Sequence, residues 1–275
     1  MRTLKGRTVA LLESRQRGEL AGMVARLGGT PISAPAVSEQ PSEEDAGPLL
    51  QRLIAGEFQM VIVLTGAGVA ALFKEAERRG ALEAVRAAMA QVAIVCRGPK
   101  PQAALRRQDL SPAIVTNTPH TTDELLEALT ATPLDGVPVL LLHYGERNPA
   151  FTAALAARGA RVADLCLYEW ALPDDRAPLY DVVERVINGQ VDVLLVTSQI
   201  QFRFLLQIAA ETGAADALVH ALREHVIVGA VGPVCASALR AGGVVPDVLP
   251  SAPNSASLVG AVADYFELTA QQEEL

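Results

Sequence analysis

Residues 60–65, MVIVLT, and residues 192–197, DVLLVT, decide the fold. Each segment carries a continuous apolar run that ends in Thr and leads into a stretch with helical periodicity, which is the pattern of a buried parallel strand followed by a crossover helix. Similar pairs alternate along the chain. Strands are predicted at 9–12, 31–34, 60–64, 92–96, 113–115, 139–143, 161–165, 191–196, 226–229 and 245–249, and helices at 17–27, 43–55, 67–79, 100–107, 123–129, 149–157, 177–188, 200–212, 234–241 and 255–268. The chain is therefore predicted to be a doubly wound α/β protein.

The two opening segments belong to an internal repeat. The segment 94–99, IVCRGP, resembles 228–233, VGAVGP. A little further along, residues 103–106 likewise resemble residues 237–240. The first strand–helix–strand unit resembles the unit that begins at Val139. All these pairs are separated by roughly 130 residues, which a chance likeness of Ala-rich units does not explain. We therefore expect two similar parallel-sheet lobes.

The order of the repeated pieces predicts interleaved lobes. The opening unit is separated from the later segment that completes its sheet, so lobe 1 is expected to be discontinuous. The expected boundaries are 1–36 plus 175–268 for lobe 1 and 42–166 for lobe 2, with linkers at 37–41 and 167–174 and a tail at 269–275. Both linkers contain Pro and alternate apolar residues, which favours a two-stranded linker with a cleft between the lobes.

Composition excludes several classes of protein. Among 275 residues, 50% are hydrophobic and 20% are charged, so the chain has enough apolar material for packed cores. A net charge of −8 disfavours nucleic acid and anionic membranes as partners. No apolar run approaches the ~20 residues of a membrane span. Three widely spaced cysteines, Cys96, Cys166 and Cys235, indicate neither a disulfide framework nor a zinc site, and we expect a cytoplasmic protein.

Candidate binding residues lie at the carboxyl ends of the predicted strands. In doubly wound sheets, helix N-termini and their free amides meet ligands at this edge. The corners are 13–15, 65–68, 97–100, 144–147, 197–199, 232–235 and 251–255, and most are rich in small and N-capping residues. Helix capping alone explains any single corner, but both lobes carry the same two corners. Backbone amides with a few Arg or Lys side chains can hold a polycarboxylate even in an acidic protein.

Other chemistries have weaker support. Residues 66–71, GAGVAA, have a dinucleotide-binding pattern, but the repeated corner lacks the glycines and no acidic residue ends the following strand. No GxSxG, Walker or HExxH motif occurs, and His120 and His143 are interpreted as loop and strand-end residues. A nicotinamide-dependent enzyme remains only an alternative.

The paired corners and Tyr168 on the return linker resemble the uroporphyrinogen-III synthase family from Val9 to about Leu268. The matching positions are Arg15 at the first corner, Thr65–Gly66 and Thr197–Ser198 at the second, Gly98–Lys100 and Gly232–Val234 at the third, and Leu167–Tyr168 on the linker. The resemblance implies cyclisation of the linear tetrapyrrole hydroxymethylbilane, with inversion of the last ring, loss of water and no cofactor. It also implies a small-molecule substrate, and we expect a monomer.

The resemblance suggests roles for particular residues. Tyr168 is the candidate proton donor for the departing hydroxyl, and the alternative is that it only packs against Trp170. The candidate substrate-binding residues share the strand corners: Arg15, Thr65, Gly66, Arg97, Gly98, Lys100, Arg147, Thr197, Ser198, Gly232 and Cys235.

The chain departs from the family pattern at three corner positions. Pro101 and Cys235 replace the Thr of the third corner, and Gly66 stands where Ser is usual. Pro101 removes both a hydroxyl and an amide donor. These departures keep open a second reading, that of a non-catalytic protein that senses tetrapyrroles on the same scaffold.

Overall fold

The computed structural model describes residues 3–118, 120–143 and 145–273, with side chains as far as residue 269. The described strands are β1 (Thr8–Leu11), β2 (Thr30–Ser33), β3 (Ser38–Pro41), β4 (Met60–Val63), β5 (Ala93–Cys96), β6 (Ile114–Val115), β7 (Pro138–Leu142), β8 (Arg161–Leu165), β9 (Tyr168–Ala171), β10 (Val193–Val196) and β11 (Ile227–Ala230). The described helices are α1 (Arg17–Arg26), α2 (Gly47–Ile54), α3 (Gly66–Arg78), α4 (Leu82–Met89), α5 (Pro99–Arg106), α6 (Thr122–Ala128), α7 (Pro149–Ala157), α8 (Ala177–Ile187), α9 (Gln199–Glu211), α10 (Ala215–Glu224), α11 (Pro233–Ala241) and α12 (Ser255–Glu273).

The chain divides into two units. Unit 1 comprises Met1–Ser38 and Ala171–Leu275, and unit 2 comprises Glu39–Trp170. Strands β3 and β9 pair with each other where the chain passes between the units.

Unit 2 is built on a parallel sheet with the strand order β6-β5-β4-β7-β8. Its central strands are buried on both faces because alternate apolar side chains enter two separate cores. Val61 and Val63 pack in one core with Leu72 of α3, whereas Ile62 packs in the other with Phe151 of α7. The continuous apolar runs of the sequence are explained by this double burial.

Unit 1 repeats this arrangement with the strand order β11-β10-β1-β2, again parallel. Leu194 faces a core that contains Phe202 of α9, and Leu195 faces the opposite core, which contains Leu258 of α12. The predicted α/β class with parallel sheets is confirmed.

Two details of the sequence prediction are wrong. The predicted strand at 245–249 makes only an isolated bridge, in which Val248 pairs with Gly229 at the position that β6 occupies in unit 2. Val245 in this segment is 69% exposed, so half of its apolar pattern does not face a core. Helices α4 and α10 were not predicted, although each buries an apolar stripe and each follows the corresponding long helix of its unit.

Candidate functional site

Thr65 and Tyr168 meet at the carboxyl end of β4. Thr65 is the N-cap of α3, and its Oγ1 accepts a hydrogen bond from the backbone N–H of Gly68 at 3.0 Å. The same Oγ1 lies 2.9 Å from the phenol oxygen of Tyr168. Tyr168 begins β9 and is 8% exposed. Two candidates that are far apart in the sequence therefore form one hydroxyl pair.

The second corner of unit 2 is tightly packed at Gly66. A Cβ at this position would lie 2.9 Å from the carbonyl oxygen of Lys100 and 3.3 Å from its carbonyl carbon. Main-chain atoms at the start of α5 therefore press against the first turn of α3. Gly66 is also the first glycine of the dinucleotide-like pattern, so the Lys100 carbonyl group lies at the corner where that pattern would place a pyrophosphate.

The third corner of unit 2 is covered by the loop that contains His120. Thr116 donates a hydrogen bond from Oγ1 to the carbonyl oxygen of Arg97. Gly98 is buried, and a Cβ there would lie 3.1 Å from the His120 ring. Arg97 is half-buried and Lys100, in the first turn of α5, is exposed. Of the candidates at this corner, Lys100 is the most exposed to solvent.

Arg147 joins two acidic side chains that were not among the candidate site residues of the sequence analysis. Its guanidinium is paired with Glu44 at 2.6 Å and with Asp164, and its side chain is 42% exposed. The same Glu44 oxygen also accepts a hydrogen bond from the backbone N–H of Cys166 at 3.1 Å. The network ties the β3–α2 connection to the loop after β7. Tyr144, from the same predicted corner, lies outside the described residues.

His143 is buried beside this network at the end of β7. Its Nδ1 accepts a hydrogen bond from the backbone N–H of Asn148, so the neutral ring carries its proton on Nε2. Burial, assisted by the nearby positive charge of Arg147, lowers the pKa of His143 to about 4. The ring is therefore neutral at physiological pH.

The second corner of unit 1 is internally saturated. The Oε1 of Gln201 accepts hydrogen bonds from the backbone N–H groups of Thr197 at 2.9 Å and Ser198 at 3.3 Å. The Nε2 of Gln201 donates to Glu13 at 3.2 Å, and the Thr197 hydroxyl donates to the same Glu13 oxygen at 2.5 Å. The other Glu13 oxygen accepts from the backbone N–H of Arg15 at 3.0 Å. Two of the amides expected to receive a substrate carboxylate, those of Thr197 and Ser198, are thus already bonded within the protein, beside a carboxylate.

The third corner of unit 1 places Cys235 in the core. The side chain is 4% exposed, and burial raises the pKa of its thiol to about 12. Gly232 is buried too, and a Cβ there would lie 3.3 Å from Pro253. The expectation that the Cys235 side chain meets a ligand conflicts with this burial, because solvent hardly reaches the sulfur and a neutral thiol is a poor nucleophile.

Glu13 is expected to make the stability of unit 1 depend on pH. Burial opposes ionisation, but hydrogen bonds from Thr197, Arg15, Gln16 and Gln201 outweigh it and lower the pKa of Glu13 below its ordinary value of 4.5. A carboxyl whose pKa is lowered by folding stabilises the native state above its unfolded pKa, and this contribution is lost as pH falls through the folded value. The free energy of unfolding should therefore fall as pH drops below about 4.5, and by less in Glu13→Gln. Urea unfolding of both proteins at each pH measures the difference, and equal losses would contradict a special role for this carboxyl.

The described residues hold no cluster of three or more His, Cys, Asp or Glu side chains arranged to bind a metal ion. Within the same residues, no helix is long and apolar enough to cross a membrane.

Two parallel-sheet α/β units with repeated strand-to-helix corners define the structural class. A sequence profile described as uroporphyrinogen-III synthase HemD matches residues 18–260, and the chain belongs to this family. Among curated proteins, the uncharacterized protein YjjA of Bacillus subtilis (strain 168) is 28% identical over 265 residues, which are 96% of this chain and 97% of that protein. A putative uroporphyrinogen-III synthase of Methanothermobacter thermautotrophicus is 28% identical over 125 residues, 46% of this chain and 48% of that protein.

Solved structures extend the likeness to the whole fold. A crystal structure of a mutant uroporphyrinogen III synthase from the extremely thermophilic bacterium Thermus thermophilus has a TM-score of 0.75 at 26% identity, covering 97% of this chain and 100% of that chain. The wild-type Thermus protein in another crystal form has a TM-score of 0.58 at 29% identity, covering 98% and 100%. The synthetase of Helicobacter pylori 26695, at 15% identity and a TM-score of 0.51, covers 95% and 99% and shares the fold. The chain is a uroporphyrinogen-III synthase-like protein.

Proposed function

We propose that this protein is a uroporphyrinogen-III synthase that cyclises hydroxymethylbilane with inversion of the last ring and loss of water, without a cofactor. The observation that carries the proposal is the hydroxyl pair of Thr65 and Tyr168, 2.9 Å apart at the carboxyl end of β4. Cyclisation needs a template for the flexible chain and a proton for the departing hydroxyl. The pair supplies the second of these.

The hydrogen bonds around Thr65 suit Tyr168 as the acid. Because the Thr65 oxygen already accepts from the Gly68 N–H, its hydroxyl proton is free to point at the Tyr168 oxygen. Tyr168 then gives its proton to the substrate hydroxyl, the carbon–oxygen bond breaks, and water leaves. The Thr65 hydroxyl donates to the phenolate that develops. Ring closure expels a proton from the attacked pyrrole carbon, and this proton restores the phenol.

The template role is proposed for the corner residues. Lys100 is exposed in the first turn of α5, where its charge adds to the helix dipole in attracting a carboxylate. Arg97 belongs to the same corner as Lys100, and Arg147 follows β7 at the same edge of the sheet. We propose the remaining corner positions, namely Arg15, Gly66, Gly98, Thr197, Ser198, Gly232 and Cys235, as the surroundings of the substrate, with Cys235 acting only through its backbone.

The deciding experiment is to supply hydroxymethylbilane to the purified protein and identify the uroporphyrinogen isomer after oxidation and chromatography. We expect isomer III, formed faster than isomer I appears without protein. Isomer I alone, at the spontaneous rate, would falsify the assignment. Size-exclusion chromatography of the same sample tests the proposed monomer, and cell fractionation tests the proposed cytoplasmic location.

A second candidate function, tetrapyrrole binding without turnover, is favoured by the saturated corner of unit 1. There Gln201 occupies the amides of Thr197 and Ser198, and the lowered pKa of Glu13 keeps a negative charge beside them. With these two amides occupied, the corner offers a bound tetrapyrrole fewer donors than a catalytic template needs. Tight binding of the bilane with isomer I as the product would support this function over the enzyme.

A further inference from the structure

His143 has a buried hydrogen-bond donor without an acceptor. Its side chain is fully buried, and no described residue accepts a hydrogen bond from Nε2. The closest acidic atom is Oδ2 of Asp164, at 3.6 Å, just beyond hydrogen-bond length. Because the bond from Asn148 to Nδ1 fixes the proton on Nε2, the ring presents an N–H towards Asp164.

Asp164 is held away from this N–H by Arg147. Its other oxygen, Oδ1, pairs with the Arg147 guanidinium. The Asp164 side chain is 26% exposed and that of Arg147 42% exposed, so solvent reaches the ion pair and its net contribution is modest. One carboxylate thus lies between two donors and satisfies only the charged one.

We propose that a substrate carboxylate binds Arg147 by displacing Asp164, whose freed carboxylate then accepts a hydrogen bond from Nε2–H of His143. This inference rests on the proposed function, since it takes the ligand to be a polycarboxylate tetrapyrrole. His143 acts in it as a positioning residue, because it reaches the ligand only through Asp164 and Arg147. Glu44 keeps its bond to the Cys166 N–H during the exchange.

The exchange is favourable because it removes two penalties at once. The buried N–H gains the acceptor that it lacks, and the displaced carboxylate is received by a donor instead of being left unpaired beside the ligand. Without His143, the ligand carboxylate would still pair with Arg147, but the displaced Asp164 carboxylate would have no donor to receive it. We therefore expect removal of the Nε2 donor to weaken carboxylate binding about tenfold.

The experiment uses uroporphyrin I, a fluorescent tetrapyrrole with eight carboxylates, as the binding probe for the full chain. His143→Asn keeps an acceptor for the Asn148 N–H but has no donor at the Nε2 position, whereas His143→Gln offers a donor there. We expect about tenfold weaker binding by His143→Asn, recovery in His143→Gln, and tighter binding by Asp164→Asn. In the Asp164→Asn background, His143→Asn should change binding little, because the displaced carboxylate is gone.

Two controls separate exchange from damage to the fold. Asp181→Asn removes the same charge from an ion pair with Arg185 on α8 of unit 1 and should leave binding unchanged. Thermal unfolding of each variant reports folding, and the ring-nitrogen NMR signals of His143 report the new bond. Since an approaching carboxylate favours the charged ring, the pKa of His143 should rise from about 4 when the probe binds.

The outcomes are distinct. Wild-type binding that His143→Asn leaves unchanged, or weakens equally in the Asp164→Asn background, overturns the exchange while the proposed synthase activity stands. Binding and exchange without formation of isomer III overturn the synthase activity alone. If the wild-type protein does not bind uroporphyrin I, the exchange is overturned. The proposed function is then tested by the isomer assay alone.

Discussion

Tyr168→Phe is expected to lower the rate of isomer III formation roughly 100-fold. Hydroxide is a poor leaving group, and a positioned donor that lets it leave as water contributes at least this factor. The substitution removes one oxygen and keeps the ring that is buried at the start of β9. Affinity for the bilane should change little. The measurement is the initial rate of isomer III formation at saturating bilane, with the spontaneous formation of isomer I as the baseline.

Variants at Thr65 sharpen this prediction. Thr65→Ser keeps the oxygen that accepts from Gly68 and faces Tyr168, so it should retain most of the activity. Thr65→Val keeps the shape but loses both hydrogen bonds, and it should lower the rate as well as cost about 1 kcal/mol as a lost helix cap. A Tyr168→Phe protein as fast as the wild type removes the proton-donor role and leaves the phenol as a packing residue.

The parts of the site that follow from strand order were predictable from the sequence. Parallel strands end at one edge, so the continuous apolar runs that end near Thr65, His143 and Tyr168 are sufficient to place these residues at the same edge of unit 2. The side-chain partners were not predictable. Arg147 and Glu44 are 103 residues apart, and nothing in either local sequence selects the other.

The saturated corner of unit 1 was missed for a related reason. Thr197 and Ser198 have the local sequence of a helix N-terminus whose backbone N–H groups are free to bind a ligand. The sequence looks the same when a side chain of the protein already accepts from these N–H groups. Gln201, three residues into the helix, was a usable signal because Gln at this position completes a capping box. The contribution of Glu13 depends on the neighbouring strands β1 and β10 and is visible only in the folded sheet.

Gly66→Ser, which introduces the residue usual in the family, is expected to destabilise this chain by about 1–3 kcal/mol, as overpacking does elsewhere. The new Cβ would lie 2.9 Å from the Lys100 carbonyl oxygen, which is a backbone atom and cannot rotate away. Pro99 and buried Pro101 flank Lys100 and stiffen this turn, so relief requires α5 to move as a whole.

The measurement for Gly66→Ser is the free energy of unfolding in urea, with Gly18→Ser as the matched control. Gly18 also lies in the first turn of a helix, but a Cβ there meets no atom within 4 Å, so its substitution should change stability by no more than about 0.5 kcal/mol. Because α5 carries Lys100, a shift of this helix also displaces the exposed cation proposed to hold the substrate. Gly66→Ser should therefore lose activity along with stability. A variant that is both stable and faster would show instead that Gly66 is a missing substrate contact and that the packing against α5 is incidental.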